Sequence, residues 1–340
     1  MLKHVQFFVI IISILLFGSC LISIKGYAEE NDTVGFTVSP NYNQAQQNNS
    51  SFFDLLVTPG SKHTISVTVS NTSHETSNYD IQVIQASTNK NGVIDYSDNK
   101  GLLSKSLPVN LKEQAKYEKK IQLPAGESKE VPISLSIPST SFEGEVLGGI
   151  NVSKEVTKKS TSQLVNQYSY ILGLRLRENK ENIKRVLTAG DVVPEVIFGK
   201  PGVRIPIIND KAIAMGHLQI NSTLRRSGKE IKTSQYKERE IAPNSIYPYT
   251  FTWDEKDYLP GKYELTISIK DAQMNRWTFK KNFILSGNQV TKVKNATIYS
   301  NKPSQSWLWL IVVIAFLLIL GLLIYITRIR KETKKEGQDE

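Results

Sequence analysis

Apolar and polar residues alternate with a period of two over most of the chain between its two ends. Ile65, Val67 and Val69 alternate with hydroxyl-bearing residues, which predicts a half-buried strand with one face towards a core. The same alternation recurs in residues 79–83, 131–137, 203–207 and 263–269. Turn-forming pairs separate these segments, Pro-Gly at 59–60, 201–202 and 260–261 and Asn-Gly at 91–92. Many short strands with such turns predict antiparallel β-sandwiches.

Two of the predicted strands contain a proline, Pro132 and Pro206. Proline has no backbone N–H to donate to a neighbouring strand. We therefore expect these strands to lie at an edge, or to be bulged, at the proline.

The strand pattern occurs twice along the chain. Pro59-Gly60 leads into a strand that ends at Asn71, and Pro201-Gly202 leads into one that ends at Asn209. The first copy is the longer one because it contains an insertion, residues 86–117. We predict two sandwich domains, at residues 31–154 and 155–286, and the polar segment 153–167 is either a hairpin arm or the link between them.

The segment from Gly144 to Ile150 places three glycines among apolar residues. Missing side chains allow close backbone approach at a sheet edge or an interface. An ordinary bulged strand is the alternative interpretation.

An uncharged run of residues from Trp307 to Ile326 lies near the C-terminus. At ~1.5 Å per residue, a helix of this length spans the ~30 Å of hydrocarbon in a bilayer. We predict a transmembrane helix at 307–327, a stalk at 287–306 before it, and a cytoplasmic tail at 328–340. Aromatic residues at the membrane interfaces and basic residues on the inner side are the predicted anchors: Trp307, Trp309, Tyr325, Arg328 and Arg330.

The N-terminus resembles a secretory signal. Lys3 and His4 precede an apolar run, and Gly26-Tyr27-Ala28 offers a cleavage site after Ala28. We predict a signal peptide at residues 1–28 and hence a single-pass type I protein of the cell membrane, with its N-terminal domains outside. Cys20 leaves lipidation open as an alternative.

Composition narrows the class of protein. The single cysteine, Cys20, lies in the predicted signal, so the mature chain cannot form a disulfide, which is typical of a Gram-positive surface protein. The formal net charge is +10, without one basic block to account for it. An outside location excludes nucleic acid as a partner.

Catalytic motifs are not evident. The histidines outside the signal, His63, His74 and His217, have no second zinc ligand at a suitable spacing. Residues 95–99 resemble the start of a calcium loop but lack its glycine and its terminal glutamate. Paired carboxylates for glycan cleavage stay open, because their partnership is spatial. We predict a non-enzymatic protein without cofactor or metal.

Two loop segments combine amides with an aromatic ring, residues 41–51 and 88–96. Amides match sugar hydroxyls and a ring can cover the apolar face of a sugar. The candidate glycan-binding residues are Tyr42, Gln46, Asn89, Asn91 and Tyr96. A solvated loop is the alternative interpretation.

These motifs, taken in order, resemble the WxL-interacting proteins of Gram-positive bacteria. The resemblance covers nearly the whole chain and rests on residues 36–40, 53–55, 59–60, 88–96, 147–150, 242–245 and 259–263. It implies a peptidoglycan-binding first domain, a host-binding second domain, and association with WxL-domain proteins of the same surface.

The predicted fold is all-β, with two tandem immunoglobulin-like antiparallel β-sandwich domains plus one C-terminal transmembrane α-helix. The predicted function is that of a membrane-anchored cell-surface adaptor that binds peptidoglycan, WxL-domain proteins and host components such as extracellular-matrix proteins. The alternative is a tethered assembly chaperone that lends a strand to surface proteins.

Overall fold

The structure is a computed structural model that describes residues 34–47, 51–97, 100–155, 167–297, 313–325 and 328. Several predictions fall outside these residues: the signal peptide at 1–28, the anchors Trp307, Trp309 and Arg330, and almost all of the tail at 328–340.

The first domain is a sandwich of two sheets. One sheet has the order β1 (Phe36–Asn41), β3 (Lys62–Asn71), β9 (Ser128–Ser136) and β7 (Ala115–Tyr117). The other has the order β2 (Phe53–Leu56), β11 (Ser169–Arg177), β10 (Glu145–Lys154), β4 (Ser77–Gln85) and β8 (Lys120–Leu123). Neighbouring strands are antiparallel, except that β2 runs parallel to β11. The inward-facing side chains of both sheets form one core, which includes Ile65, Val67 and Val69 as predicted.

The insertion in the first domain has its own small elements. It contains a short hairpin, β5 (Ser87–Thr88) with β6 (Ile94–Asp95), and one helical turn, α1 (Leu111–Gln114). Asn110 caps α1 by accepting a hydrogen bond from the backbone N–H of Lys112. Leu111 is fully buried in the first core, so the insertion is packed onto the sandwich.

The second domain repeats the two-sheet design. In one sheet β14 (Lys200–Asn209) pairs with β17 (Ser245–Thr252) on one side, and with β12 (Thr188–Ala189) and β13 (Val193–Ile197) on the other. The other sheet has the order β16 (Lys229–Ile241), β15 (Met215–Arg226), β18 (Gly261–Lys270) and β19 (Arg276–Leu285). A second, separate core lies between these sheets.

Two buried asparagines, one in each domain, make equivalent hydrogen bonds at the end of equivalent strands. Asn71 donates to the carbonyl of Glu75 at 2.8 Å and to that of Leu123 at 3.0 Å. Asn209 donates to the carbonyls of Ile213 and Ala242 at 2.8 and 3.0 Å. Each asparagine also accepts a hydrogen bond from the backbone N–H two residues further on. The prediction of two sandwiches of related design is thus confirmed.

The prolines lie where a second neighbour is missing. Pro132 in β9 pairs with β3 but lies beyond the end of β7. Pro206 in β14 pairs with β17 and lies in the gap between β12 and β13. Among the described residues, strand β9 has a second neighbour only at residues 133–135, so Pro132 lies on an open edge, as predicted. Strand β14 is interior over most of its length, so its edge is confined to the stretch around Pro206.

Two predicted boundaries differ from the structure. Residues 169–177, predicted to belong to the second domain, form β11, which completes the first sandwich and buries Leu174 and Leu176 in its core. The predicted stalk at 287–306 begins with a helix, α2 (Gly287–Ala296). Ser286 and Gln289 form a capping box at its N-terminus. Val290 and Val293 of α2 are buried in the second core, so this part extends the second domain.

The C-terminal hydrophobic segment is described only in part. Residues 313–325 are helical, Tyr325 is 65% exposed, and Arg328 is also helical. Among the residues that the structure describes, no helix has both the length and the hydropathy needed to cross a membrane.

Candidate ligand-binding groove and domain interface

A groove lies on the outer face of the β10–β11 pair, where two glycines face away from the core. Gly149 and Gly173 are directly opposite each other in the two strands. A Cβ atom on Gly149 would lie 3.0 Å from the Cβ of Tyr96, and one on Gly173 would lie 3.2 Å from the Cβ of Phe52. The absence of side chains on the sheet therefore lets two aromatic residues from other segments pack close to it.

The groove consists of two adjoining depressions. The first has a volume of about 700 Å³ and is lined by aromatic, apolar and charged residues: Phe52, Asn89, Ile94, Asp95, Tyr96, Glu145, Leu147, Ile171, Gly173, Leu174, Arg175 and Ala214. The second, of about 480 Å³, is almost entirely polar: Gln82, Ser97, Lys100, Asn151, Ser153, Gln167 and Ser169. Glu145 and Leu147 of β10 line the first depression, and Asn151 and Ser153 line the second. Tyr96 and Ile171 pack over Gly149 between the two.

A buried ion pair holds Arg175 in place in the first depression, which Asp95 and Glu145 also line. Asp54 is fully buried and accepts hydrogen bonds from Nε and Nη2 of Arg175 at 2.9 and 2.7 Å, and from Nη2 of Arg177 at 2.9 and 3.0 Å. Burial alone would raise the pKa of Asp54, but the hydrogen bonds and charges of the two arginines outweigh it and hold that pKa below its usual value. The bidentate pair orients Arg175, whose guanidinium lies 5.2 Å from the ring centre of Phe52.

Tyr96 carries a neutral phenol at the boundary between the domains. Burial raises its pKa, and the negative charges of Glu240 and Glu145 raise it further, while Arg175 lowers it. The Tyr96 hydroxyl therefore keeps its proton and can donate a hydrogen bond.

One side chain in the polar depression has unused hydrogen-bonding capacity. The Oδ1 atom of Asn151 is buried and accepts no hydrogen bond from the residues that the structure describes. A buried acceptor without a partner is costly, so a donor from a ligand or from water would stabilise it.

The structure brings two of the five candidate glycan-binding residues to this groove, Tyr96 and Asn89. The Asn89 side chain accepts hydrogen bonds from the backbone N–H groups of Asn91 and Val93, so it shapes the turn in which Asn91 lies exposed. Gln46 has an architectural contact: its amide donates to the carbonyl of Phe52 and accepts from the backbone N–H of Asp54, both at 3.0 Å. It therefore holds the segment that carries Phe52.

Tyr42 lies away from the groove lining. Its ring packs edge-on against Phe53 at a centroid distance of 5.5 Å, and the residue is 43% exposed. The residues that sequence reasoning missed are Phe52, Arg175 and Asn151. The period-two alternation of β10 and β11 was the available signal, since it places Asn151, Gly173 and Arg175 on the face opposite the core.

The two domains meet at segments that the sequence had singled out. Thr88 in β5 bonds the Ser245 hydroxyl at 2.7 Å and accepts from the backbone N–H of Ala242 at 3.0 Å. The backbone N–H of Glu240 donates to the carbonyl of Gly92 at 2.7 Å. Segments 88–96 and 242–245 are therefore in direct contact.

A second set of contacts adds a short strand-like pairing. The backbone N–H of Ile246 donates to the carbonyl of Leu102 at 3.0 Å, and the backbone N–H of Ser104 donates to the carbonyl of Asn244 at 2.8 Å. Leu103 is bridged to Ser245 in antiparallel fashion. The insertion thus covers the beginning of β17.

The glycine-rich segment 144–150 packs closely against the second domain and against the insertion of the first domain. A Cβ on Gly144, whose φ is +78°, would lie 2.2 Å from the carbonyl oxygen of Ala212 in the second domain. One on Gly148 would lie 2.3 Å from Leu111 in α1. These two contacts confirm the prediction of close approach. Strand β10 has no bulge from Glu145 onwards, which excludes the alternative of a bulged strand.

The interface also reaches the groove. The backbone N–H of Glu145 donates to the carbonyl of Ala212 at 2.7 Å, and the Glu145 carboxylate accepts from the backbone N–H of Ala214 at 2.9 Å. Since Glu145 and Ala214 both line the first depression, the second domain forms one end of it.

Comparisons with known proteins support the resemblance drawn from the motifs. Residues 36–154 match the family model described as WxL Interacting Protein, peptidoglycan binding domain. Residues 158–295 match the one described as WxL Interacting Protein, host binding domain. The junction between these matches lies close to the predicted boundary at 154/155, although β11 completes the first sandwich in the structure.

No curated protein matches the chain, and several solved structures match it at low identity. The class 5 fimbriae chaperone CfaA is 13% identical over 72% of this chain and 98% of its own, with a TM-score of 0.29. The Pseudomonas aeruginosa CupB2 chaperone is 12% identical over 66% and 95%, with a TM-score of 0.28. The E. coli chaperone DraB is 18% identical over 68% and 93%, with a TM-score of 0.26. These scores are too low to transfer any property.

The two family matches together cover residues 36–154 and 158–295, most of the chain, in the domain order that the motifs predict. This chain belongs to the WxL Interacting Protein family.

Proposed function

We propose that this protein is a non-catalytic adaptor of the cell surface, anchored in the membrane by residues 307–327. The first domain binds peptidoglycan in the groove on the β10–β11 face. The second domain binds protein partners, namely WxL-domain proteins of the same surface and host components such as extracellular-matrix proteins. Both family descriptions name binding domains, which supports a role without turnover.

The observation that supports the peptidoglycan site is the chemistry of the groove. Tyr96 and Phe52 offer ring faces for the apolar side of a sugar, and Asn151, Gln82 and the serines offer partners for hydroxyl and acetamido groups. Lys100 brings a positive charge to the polar depression, whose lining in the described part of the chain contains no carboxylate, and this charge favours the carboxylates of peptidoglycan. Two depressions that follow each other along β10 suit successive units of a glycan strand better than one compact ligand.

Sedimentation with purified sacculi tests this site. The full-length protein, solubilised in detergent, should pellet with sacculi, and Tyr96→Ala should weaken the binding about tenfold, the equivalent of ~1.4 kcal/mol. Tyr42→Ala removes an exposed aromatic residue that does not line the groove, so it should bind like the wild type. Equal binding by both variants would place the glycan site elsewhere.

Adding a side chain at Gly149 gives an independent test. Gly149→Val would place atoms where Tyr96 and Ile171 now pack and should also weaken the binding. Gly216→Val is the matched control, because no heavy atom lies within 4 Å of a Cβ at that strand position. The far-ultraviolet circular dichroism of both variants should match the wild type, which separates loss of the site from loss of the fold.

The partner role of the second domain needs its own experiment. The full-length protein should capture a purified WxL-domain protein of the same surface at low salt. Failure to capture it would remove this half of the proposal, whatever the sacculi show.

The chaperone alternative differs in the state of the partner. An adaptor binds a partner that is already folded, whereas a chaperone completes a partner that is unfolded without it. The circular dichroism of the isolated WxL-domain protein distinguishes the two, and a folded isolated partner supports the adaptor.

Anchoring is tested on intact cells. A C-terminal epitope should resist external protease, while epitopes in the two sandwiches should be cleaved. Digestion of the C-terminal epitope on sealed cells would contradict the proposed topology.

A further inference from the structure

Strand β19 is an open edge of the second sandwich. It has ten residues and pairs with β18 from Gly261↔Leu285 to Lys270↔Arg276 without a register shift. Among the described residues, no strand pairs with its other side. A long, regular strand with an open side presents backbone donors and acceptors that another strand can use.

Other sheet edges in the described part of the chain are short, interrupted or covered. Strands β2, β7, β8 and β12 have four residues or fewer, β1 contains Pro40 and β13 contains Pro194. Strand β16 has register shifts and a positive φ at Glu238, and β17 begins against Leu102 and Leu103 of the first domain. These devices normally block strand addition, and β19 has neither a proline nor a bulge.

The core-facing side of β19 is an incompletely covered aromatic row. Trp277, Phe279 and Phe283 pack against the second core but remain only partly buried. Lys281 lies in the same row, and its Nζ donates to the carbonyl of Ala189 in β12 at 2.7 Å. The facing sheet ends in the two short strands β12 and β13. A strand added to β19 would extend the sheet over this rim and remove more of the three rings from water, which favours binding.

Charge decides which kind of strand fits. The β18–β19 pair carries five basic residues and one acidic residue, Lys262, Lys270, Arg276, Lys280 and Lys281 against Glu264. Lys280 forms an ion pair with Glu264 at 2.8 Å, and Lys281 faces the core side, where it bonds Ala189. The basic excess on the outer face of the pair is therefore Lys262, Lys270 and Arg276. A second copy of β19 would place like charges opposite each other, which is unfavourable, whereas an acidic strand would be attracted.

We propose that the β19 edge accepts an extended segment of a partner protein in which acidic residues alternate with apolar ones. The apolar side chains of the segment cover Trp277, Phe279 and Phe283, and its carboxylates lie beside Arg276 and Lys280 on the outer face of β19. The inference rests on the proposed partner-binding role of the second domain and names the surface and the partner chemistry for it.

A synthetic peptide tests the site directly. The probe is an eleven-residue peptide of alternating isoleucine or threonine and glutamate. Its binding to the full-length protein should slow amide hydrogen exchange in β19 and leave exchange in β16 unchanged. A peptide with lysine in place of each glutamate should bind at least tenfold more weakly at low salt, because the electrostatic attraction becomes repulsion.

A pair of double variants provides the matched control. Arg276→Glu with Lys280→Glu should weaken binding of the acidic peptide at least tenfold. Lys229→Glu with Lys232→Glu reverses two exposed charges on the opposite edge of the same sheet and should leave the binding unchanged. Unchanged exchange in β19, or equal binding by the two double variants, would overturn the inference.

The inference and the proposed function can fail separately. If a WxL-domain protein is captured equally well by the wild type and by the Arg276→Glu/Lys280→Glu variant, the adaptor function stands and the β19 site does not. If no partner is captured but β19 is protected by the acidic peptide, the edge site stands and the partner assignment fails.

Discussion

At the scale of single residues, buried polar side chains connect strands that lie far apart in the sequence. Asp54 joins β2 to β11 through two arginines, and Asn71 and Asn209 each tie a strand end to two carbonyls in other segments. These groups are stable in the interior only because they are hydrogen-bonded or paired. Removing one partner therefore lowers the free energy of unfolding by more than the net contribution of the hydrogen bond, because the other group stays buried without a partner.

The Asp54 cluster predicts a specific acid sensitivity. The native pKa of Asp54 is lowered, so its contribution is complete above the ordinary carboxyl pKa of ~3.9 and is lost as the pH falls through the native value. Asp54→Asn should lower the free energy of unfolding at neutral pH by about 3 kcal/mol and flatten its decline below about pH 4. Thermal unfolding from pH 3 to 7 measures both effects.

Asp80→Asn is the control for this prediction. Asp80 pairs at 3.2 Å with Lys120, whose side chain is 68% exposed, so its loss should cost less than about 1 kcal/mol. An equally large effect at Asp80 would show that burial of the Asp54 pair is unimportant.

The repeated asparagine motif gives a second prediction at this scale. Asn209→Ala leaves the carbonyls of Ile213 and Ala242 without their donor and should destabilise the second domain by about 2 to 4 kcal/mol. Asn71→Ala should destabilise the first domain by a similar amount. Calorimetry of the two variants is expected to show similar losses, and a stability change at only one site would contradict the equivalence.

At the scale of elements, helix α2 replaces the beginning of the predicted stalk. The segment looked polar and aperiodic because only Val290 and Val293 face the core, and two apolar positions on a helix of ten residues make a weak pattern. Packing against the second sandwich stabilises a helix too short to be stable alone.

This packing predicts that α2 contributes to stability. The double change Val290→Ala and Val293→Ala should lower the free energy of unfolding by roughly 2 to 3 kcal/mol, because buried methyl groups are lost. Thr291→Ala on the exposed side of the same helix should change it by less than ~0.5 kcal/mol. Denaturant unfolding followed by fluorescence of Trp253 and Trp277 measures the difference, and no loss in the double variant would support a stalk.

At the scale of the whole molecule, the insertion of the first domain joins the two sandwiches. Thr88, Gly92 and Leu102 contact the second domain through hydrogen bonds, and Gly144 approaches it so closely that any side chain would collide. The same interface positions Ala214 at the end of the groove. The proposed glycan site therefore depends on both domains being held together.

The contact at Gly144 predicts how the domains are uncoupled. Gly144→Ala should speed amide hydrogen exchange at Glu145 and Ala214 and weaken sacculus binding severalfold. Gly126→Ala is the matched control: its φ of +74° gives the same backbone strain, but no heavy atom lies within 4 Å of its Cβ. Equal effects of the two variants would show that strain, and not the interface, is responsible.

Features that depend on neighbouring residues can be recognised from the sequence alone. Period-two alternation located strands such as residues 62–71 and 261–270, and the prolines located the positions where a second neighbour is missing. Glycine spacing in residues 144–150 located a point of close approach. These features follow from local geometry, so a single chain is sufficient to recognise them.

Which distant segments meet is visible only in three dimensions. The tertiary structure assigned residues 169–177 to the first sandwich, placed Phe52 and Tyr96 over two glycines, and brought Thr88 to Ser245. A strand's outward face is polar whether it is covered by a loop, lines a groove or is bare. Local pattern therefore cannot distinguish these cases, because the covering residues come from elsewhere in the chain.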